Sequence, residues 1–465
     1  MKKNNWLFLI LICSISLFAL SFFQIESDYL WHIKAGEAMI QKGIFRHDIF
    51  SWSLSSSYWY SHEWLFEVVI YYLKSIFGKY HIFIYCFSCI FFINFFIYLM
   101  QKDYIEKNKL FYIIWVALSL IICVQVQARP FLISFLFFSI MMYLLSDSIK
   151  NQDSKKIYLL PFIGVLWANF HGGSSNLIYI IPIIFLAGNI FTFQFKKIES
   201  KKISNILIKR YLIVIVLCMV SVCINIHGIK MFIYPYINMA NTMMISNISE
   251  WRSTSLNEVY HYLYFGLLFI IIIILLFSKK KIQFIDFLLL GFCSFLGLKS
   301  IRFWFYTYIV ASTFIYSYIS NRKEDKGTSL GIIIISIMMC SLFLLKNNIF
   351  TENYSFLLKE EDIKVIKNEN PKRLFNMYNY GGDLIYNDIL VFIDGRADLY
   401  SPEVYGDYLS ISKLDSNSIS NIEKYDFDYY LVDSKYPIAS YLKDNSKYEL
   451  IYSRNRLFFY KKRDL

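Results

Sequence analysis

The amino-acid sequence predicts an α-helical polytopic membrane protein of about eleven transmembrane helices, with a small C-terminal α/β domain on the outer face of the membrane. Three observations predict it. Hydrophobic residues make up 57% of the chain and mean hydropathy is +0.43, more apolar side chain than a soluble domain can bury. Apolar runs near the roughly 20 residues that a spanning helix needs recur as far as position 345 and then stop. The lysine-rich short loops between these runs all fall on one side, which the positive-inside rule makes cytoplasmic.

Taken in order, Lys2 and Lys3 hold the N-terminus inside, and the run 6–23 reads as an uncleaved first span, because it is too long for a signal peptide and no small-residue cleavage site follows it. An outer loop, 25–79, comes next. Apolar spacing places helices at 30–40 and 64–76 within it, where tryptophan and tyrosine favour the membrane interface. Further spans are expected at 80–100, 110–127, 131–145, 157–170, 177–193, 211–226, 260–277, 284–298, 303–319 and 331–345, with a long outer loop at 227–259. The transmembrane domain is therefore 1–345. Residues 346–465 change to short apolar runs between polar turns, with strands expected at 373–377, 390–394, 429–433, 448–452 and 456–460 and helices at 361–368, 382–386 and 438–442.

A net charge of +12 would suit nucleic acid, but most lysines outside the C-terminal tail sit in the few inner loops, so no nucleic-acid partner is expected. All eight cysteines lie in apolar runs, which argues against a disulfide framework.

The polar residues that stand out gather at the outer ends of helices. Asp28 follows the first span directly, where a carboxylate is costly unless it faces water or a partner. It reads either as a site acid or as a solvated carboxylate at a helix N-terminus. Asp28 and His32 share one helical face, and can form an acid–base pair, supply two metal ligands or make an ordinary i,i+4 contact. His62-Glu63 lacks the second histidine of a zinc-protease signature. Trp31, Trp52, Trp59 and Trp64 suit an interfacial belt, and the same rings can stack on a sugar.

Arg129, Arg252 and Arg302 offer guanidinium forks to a phosphate, from a substrate or from lipid headgroups. His171-Gly172-Gly173 reads as a tight turn. Asp394-Gly395-Arg396-Ala397-Asp398 ends an expected strand, the usual place for ligand groups in open α/β sheets, or else is a self-satisfied salt-bridged turn.

In their order, Asp28-x-x-Trp31-His32, Ala35-Gly36 with Gly43, Asp48-x-Phe50-Ser51, His62-Glu63-Trp64-Leu65, Arg129-Pro130, Trp167-x-Asn169-x-His171-Gly172, Glu250-Trp251, Arg302-Phe303 and the 394–398 motif resemble the GT-C superfamily of membrane glycosyltransferases, and more narrowly a group of bacterial proteins of that type. Asn225-Ile226-His227-Gly228 departs from the Asn-Pro-x-Gly pattern expected there. The resemblance implies an inverting glycosyltransferase that moves a sugar from a polyprenyl-phosphate donor to an envelope acceptor (glycan, lipid or protein) at the outer face of the cell membrane. It implies Asp28, His32 and Asp48 as the catalytic group, with Asp28 as base. Arg129, His171, Arg252 and Arg302 would then bind the donor phosphate, and His62, Glu63, Asp394, Arg396 and Asp398 the acceptor or its loop. A divalent metal on Asp28, Asp48 and His62 stays open as a cofactor. The rival readings are a lipid-linked saccharide transporter or flippase, which the nearly charge-free span interiors disfavour, and a non-catalytic membrane-anchored binding protein.

Overall fold

The computed structural model describes residues 5–22, 27–105, 115, 126–239, 248, 251–318, 328–346 and 357–463. The chain divides into two compact units, each drawn from separated stretches of sequence. One comprises Met1–Gln24 with Lys79–Phe350, the other Ile25–Gly78 with Thr351–Leu465.

The first unit is predominantly helical. Long apolar runs leave backbone groups no partner but one another in hydrocarbon, and a helix satisfies them within the run. Four helical stretches here, Phe131–Lys150, Gly172–Asn189, Asn205–Val222 and Val259–Phe277, are long and apolar enough to cross a bilayer, and a fifth lies within Trp64–Lys102. Trp6–Leu20, Lys156–Phe170 and Ile334–Leu344 are apolar but shorter. Only 22% of the Val259–Phe277 window is covered by protein, an exposure of Ile and Leu that water would not tolerate. The expected span 110–127 lies almost wholly outside the described residues.

Aromatic stacking joins the Phe131–Lys150 helix to Trp304–Tyr318, with Phe135 on Phe305 at 4.2 Å and Phe138 against Tyr306 at 4.7 Å. Within the first of these helices Ser139 Oγ bonds back to its own helix, donating to the Phe135 carbonyl at 2.8 Å.

The second unit is built on a four-stranded sheet in the order Leu374–Asn376, Tyr429–Asp433, Leu457–Lys462, Tyr448–Arg454. The first pair is parallel, and the other two are antiparallel. Helices Glu360–Glu369, Gly381–Tyr386, Pro402–Lys413, Ser418–Tyr425 and Pro437–Asp444 accompany it. The expected strand at 390–394 is not part of the ladder. Its Phe392 N–H donates to Asn376 Oδ1 (2.8 Å), and the Ile393 carbonyl accepts from Asn376 Nδ2 (2.8 Å). Val391 instead pairs with the segment around Ser51, exchanging bonds with Phe50 and Trp52 at 3.1 and 3.0 Å.

The segment 27–78 of this unit contributes helices Asp28–Lys42 and Trp64–Phe77, which pack directly on each other. Gly36 makes the approach possible, since a Cβ there would stand 2.7 Å from the Glu67 carbonyl carbon. An interfacial belt does not describe Trp31, Trp52 and Trp59. Trp31 and Trp59 are 5% and 2% exposed, inside the unit, and Trp52 packs on Phe392 and donates to the Leu374 carbonyl.

Candidate functional site

Asp28 opens the Asp28–Lys42 helix, with Ser27 as N-cap in helical conformation, so its carboxylate complements the helix N-terminus. Position 395 determines where that carboxylate lies. A Cβ on Gly395 would overlap Asp28 Oδ1 and stand 2.5 Å from Cγ, so the acid rests on bare backbone. Two further glycines allow close approach nearby. A Cβ on Gly382 would stand 2.7 Å from the Ser27 carbonyl carbon, and one on Gly381 2.6 Å from Asp394 Cα.

The 394–398 motif forms a salt-bridged turn. Arg396 donates through Nε (2.9 Å) and Nη2 (2.6 Å) to the two oxygens of Asp394, whose Oδ1 also accepts the Arg396 N–H at 2.8 Å. Tyr400 adds a hydroxyl to Asp394 Oδ2 at 2.7 Å. The remaining Arg396 Nη1 donates to Asp48 Oδ1, and the guanidinium lies over the rings of Trp59 and Phe50, 4.8 and 5.2 Å from their centroids. Burial alone would favour losing the charge, but Asp394 and Asp48 raise the Arg396 pKa well above its ordinary value.

Asp48 is therefore engaged on both oxygens, by Arg396 and the Phe50 N–H on Oδ1 and by the Ser51 N–H and hydroxyl on Oδ2. Among the described residues, Asp28, Asp48 and His62 do not converge as three ligands of one metal. The reason is physical, since Asp48 is turned into the Arg396 ion pair.

A second cluster alternates imidazole and carboxylate. His32, one helical turn after Asp28, is 2% exposed, with Nδ1 3.5 Å from Glu67 Oε1 and Nε2 3.8 Å from Glu63 Oε2. Glu63 Oε1 lies 3.2 Å from His62 Nε2, and His62 Nδ1 lies 3.5 Å from Asp398 Oδ2. Burial disfavours a charged His62, yet the Glu63 and Asp398 carboxylates beside it outweigh that and raise its pKa to about 10. Glu67 belongs to this cluster although the motifs of the sequence do not include it. Its one signal is that of a lone carboxylate in the apolar first half of its helix, four residues after Glu63.

The remaining candidates belong to the first unit. Arg302 places its guanidinium over Trp251, 4.9 Å from the centroid, and over Phe131 at 5.8 Å, the residue that follows Arg129-Pro130. The Arg129 carbonyl accepts from the Tyr85 hydroxyl at 2.9 Å. One turn along from Phe131, Ser134 meets His171 Nδ1 at 2.7 Å and accepts from Trp167 Nε1 at 2.8 Å, and Ser174 closes the set at 3.0 Å from the same imidazole nitrogen. The Phe131–Lys150 helix thus brings Arg302 and His171 to neighbouring turns. Arg252 is exposed, and its carbonyl accepts from the Ile301 N–H at 3.3 Å. Glu250 lies outside the described residues.

No family model matches the chain, and no curated protein sequence does. Solved structures do. The oligosaccharyltransferase AglB of Archaeoglobus fulgidus in complex with an inhibitory peptide and a dolichol-phosphate aligns at a TM-score of 0.58 and 10% identity, over 93% of this chain and 70% of that one. The same enzyme tethered to an acceptor peptide containing the NVT sequon gives 0.55 at 11% identity, over the same shares. Its complex with Zn and sulfate gives 0.50 at 11% identity, over 91% and 68%. At this identity the likeness is one of fold.

Proposed function

We propose that the chain is a GT-C membrane glycosyltransferase that moves a sugar from a polyprenyl-phosphate donor to an envelope acceptor. In this reading the chain crosses the cell membrane about eleven times, with its N-terminus inside and both stretches of the sheet-bearing unit outside. An outer site has no access to cytoplasmic nucleotide sugars, so a lipid carrier is the natural supply. The AglB complexes with a dolichol-phosphate and with an acceptor peptide lend support to a lipid-carried donor.

The observation that carries the reading is Asp28, a carboxylate at the first turn of a helix held against the bare backbone of Gly395. Asp28 serves as the base. It takes the proton of the acceptor hydroxyl as that oxygen attacks the sugar carbon, and inversion follows because the carrier phosphate leaves from the opposite side. The charge on the leaving phosphate is met by Arg302 and Arg129, with His171 and Arg252 completing the donor group. Asp48, Asp394 and Arg396 hold the turn on which Asp28 rests, while His32, His62, Glu63 and Asp398 order the acceptor-side loop.

Purified protein in bilayers, given labelled polyprenyl-phosphate sugars and a mixed envelope extract, should label an acceptor. Asp28→Ala should lower that transfer by about 10²–10⁴-fold while leaving donor binding intact. Transfer unchanged in the variant would sink the assignment of the base, and donor binding without transfer in wild type would turn the reading to a carrier.

A further inference from the structure

We infer that His32, Glu63 and Glu67 form a binding site for a zinc-class divalent cation that ties the Asp28–Lys42 helix to the Trp64–Phe77 helix. The ligand atoms of the three residues lie within 4.8 Å of one another, and all three are buried. His32 Nδ1 and Glu67 Oε1 face each other as an ion pair at 3.5 Å, too loose for a well-formed hydrogen bond, and neither atom has a hydrogen-bond partner elsewhere in a site closed to bulk water. Buried polar atoms are rarely left in that state without an ion or a water that the protein binds.

The 3.5 Å between His32 Nδ1 and Glu67 Oε1 suits two ligands of one cation, and Glu63, whose nearest approach is to His32 Nε2 at 3.8 Å, has to turn an oxygen from within the 4.8 Å set toward the same ion. Zinc–nitrogen and zinc–oxygen bonds of about 2.0–2.2 Å at tetrahedral angles set neighbouring ligand atoms about 3.3–3.5 Å apart. One imidazole and two carboxylates with a fourth position left to water is a donor set that zinc accepts. The surroundings fix the ligands as well. Ser61 Oγ donates to Glu67 Oε2 at 3.1 Å, which aims Oε1 at His32, and the His32 ring is held between Trp31 (centroids 3.6 Å apart) and the edge of Phe66 (5.2 Å). This site uses neither Asp28 nor Asp48 and stands whether or not the chain transfers sugar.

The test is metal content. The full chain in lipid nanodiscs, stripped with chelator, dialysed against Zn²⁺ and freed of loose metal, is assayed by mass spectrometry, with Co²⁺ loading read as visible absorption. We expect one zinc per wild-type chain and the intense visible bands of tetrahedral Co²⁺. The near-isosteric Glu67→Gln and His32→Ala should each lower retained metal at least 10-fold, and Glu37→Gln, a carboxylate on the same helix paired with Lys34 at 2.8 Å, should not. Absence of stoichiometric zinc in wild type, or its retention in either ligand variant, would overturn the site without touching the glycosyltransferase reading.

Discussion

An alanine at position 395 would have to share space with the Asp28 carboxylate, its Cβ 2.5 Å from Asp28 Cγ. Either the acid or the Asp394–Arg396 turn must then move by about an ångström, a misplacement that can cost an enzyme about 100-fold. The turn is the stiffer of the two. Removing one member of a buried ionic set such as Asp48, Arg396 and Asp394 costs about 3–5 kcal/mol. Gly395→Ala should therefore keep its fold and donor binding and lose at least about 100-fold in transfer, measured with labelled lipid-linked sugar. Gly291→Ala, where nothing stands within 4 Å of the added Cβ, should behave as wild type. Equal transfer rates in the two variants would show that Asp28 does not need the place it occupies.

At the scale of elements, the short Gly381–Tyr386 helix carries Asp383, whose side chain is fully buried with Oδ2 unbonded. Burial raises its pKa to about 7. The folded chain thus keeps the proton up to about pH 7, whereas an unfolded aspartate releases it near pH 4, so stability falls as pH rises through that window and levels off above it. Asp383→Asn should abolish this decline and stabilise the unit at pH 8 by a few kcal/mol, about 4 at most. Amide exchange of the Leu374–Asn376 and Tyr429–Asp433 strands, followed from pH 5 to 8, reads the difference, and parallel curves for variant and wild type would refute it.

The elements also differ in how far the sequence discloses them. Helices Asp28–Lys42 and Trp64–Phe77 follow from apolar spacing, and four strands lie within two residues of their expected limits. Residues 390–394 mislead because their run has strand composition while its hydrogen bonds go to Asn376 and to a segment some 340 residues away in sequence. Helices Pro402–Lys413 and Ser418–Tyr425 pass unnoticed, although Ser401 as N-cap and Pro402 in the first turn announce the former. Of the candidate site, Asp28 and the Asp394–Asp398 motif are visible as residues. Their contact through Gly395 is not, because nothing local in either segment encodes it.

For the whole molecule, the proposed topology puts the sheet-bearing unit outside and the lysine-rich loops inside. Against a background in which the native cysteines are replaced, Lys443→Cys should react with a membrane-impermeant maleimide applied to intact cells, and Lys279→Cys only after permeabilisation. Both positions are exposed, so accessibility is decided by the membrane alone. Labelling of both from the same side would refute the topology.

The two stretches of the sheet-bearing unit also set an order of events during synthesis. Ile25–Gly78 leaves the ribosome about 270 residues before Thr351, an interval of roughly 14–54 s at 5–20 residues per second. Throughout that wait Trp31 and Trp59 lack the partner stretch beside which they are finally buried, and Asp48 has no Arg396 to meet. The first stretch is thus a client for any holding chaperone at the membrane surface, and a nascent chain stalled before Thr351 carries the residues of the candidate site in an unfinished state that proteases can reach.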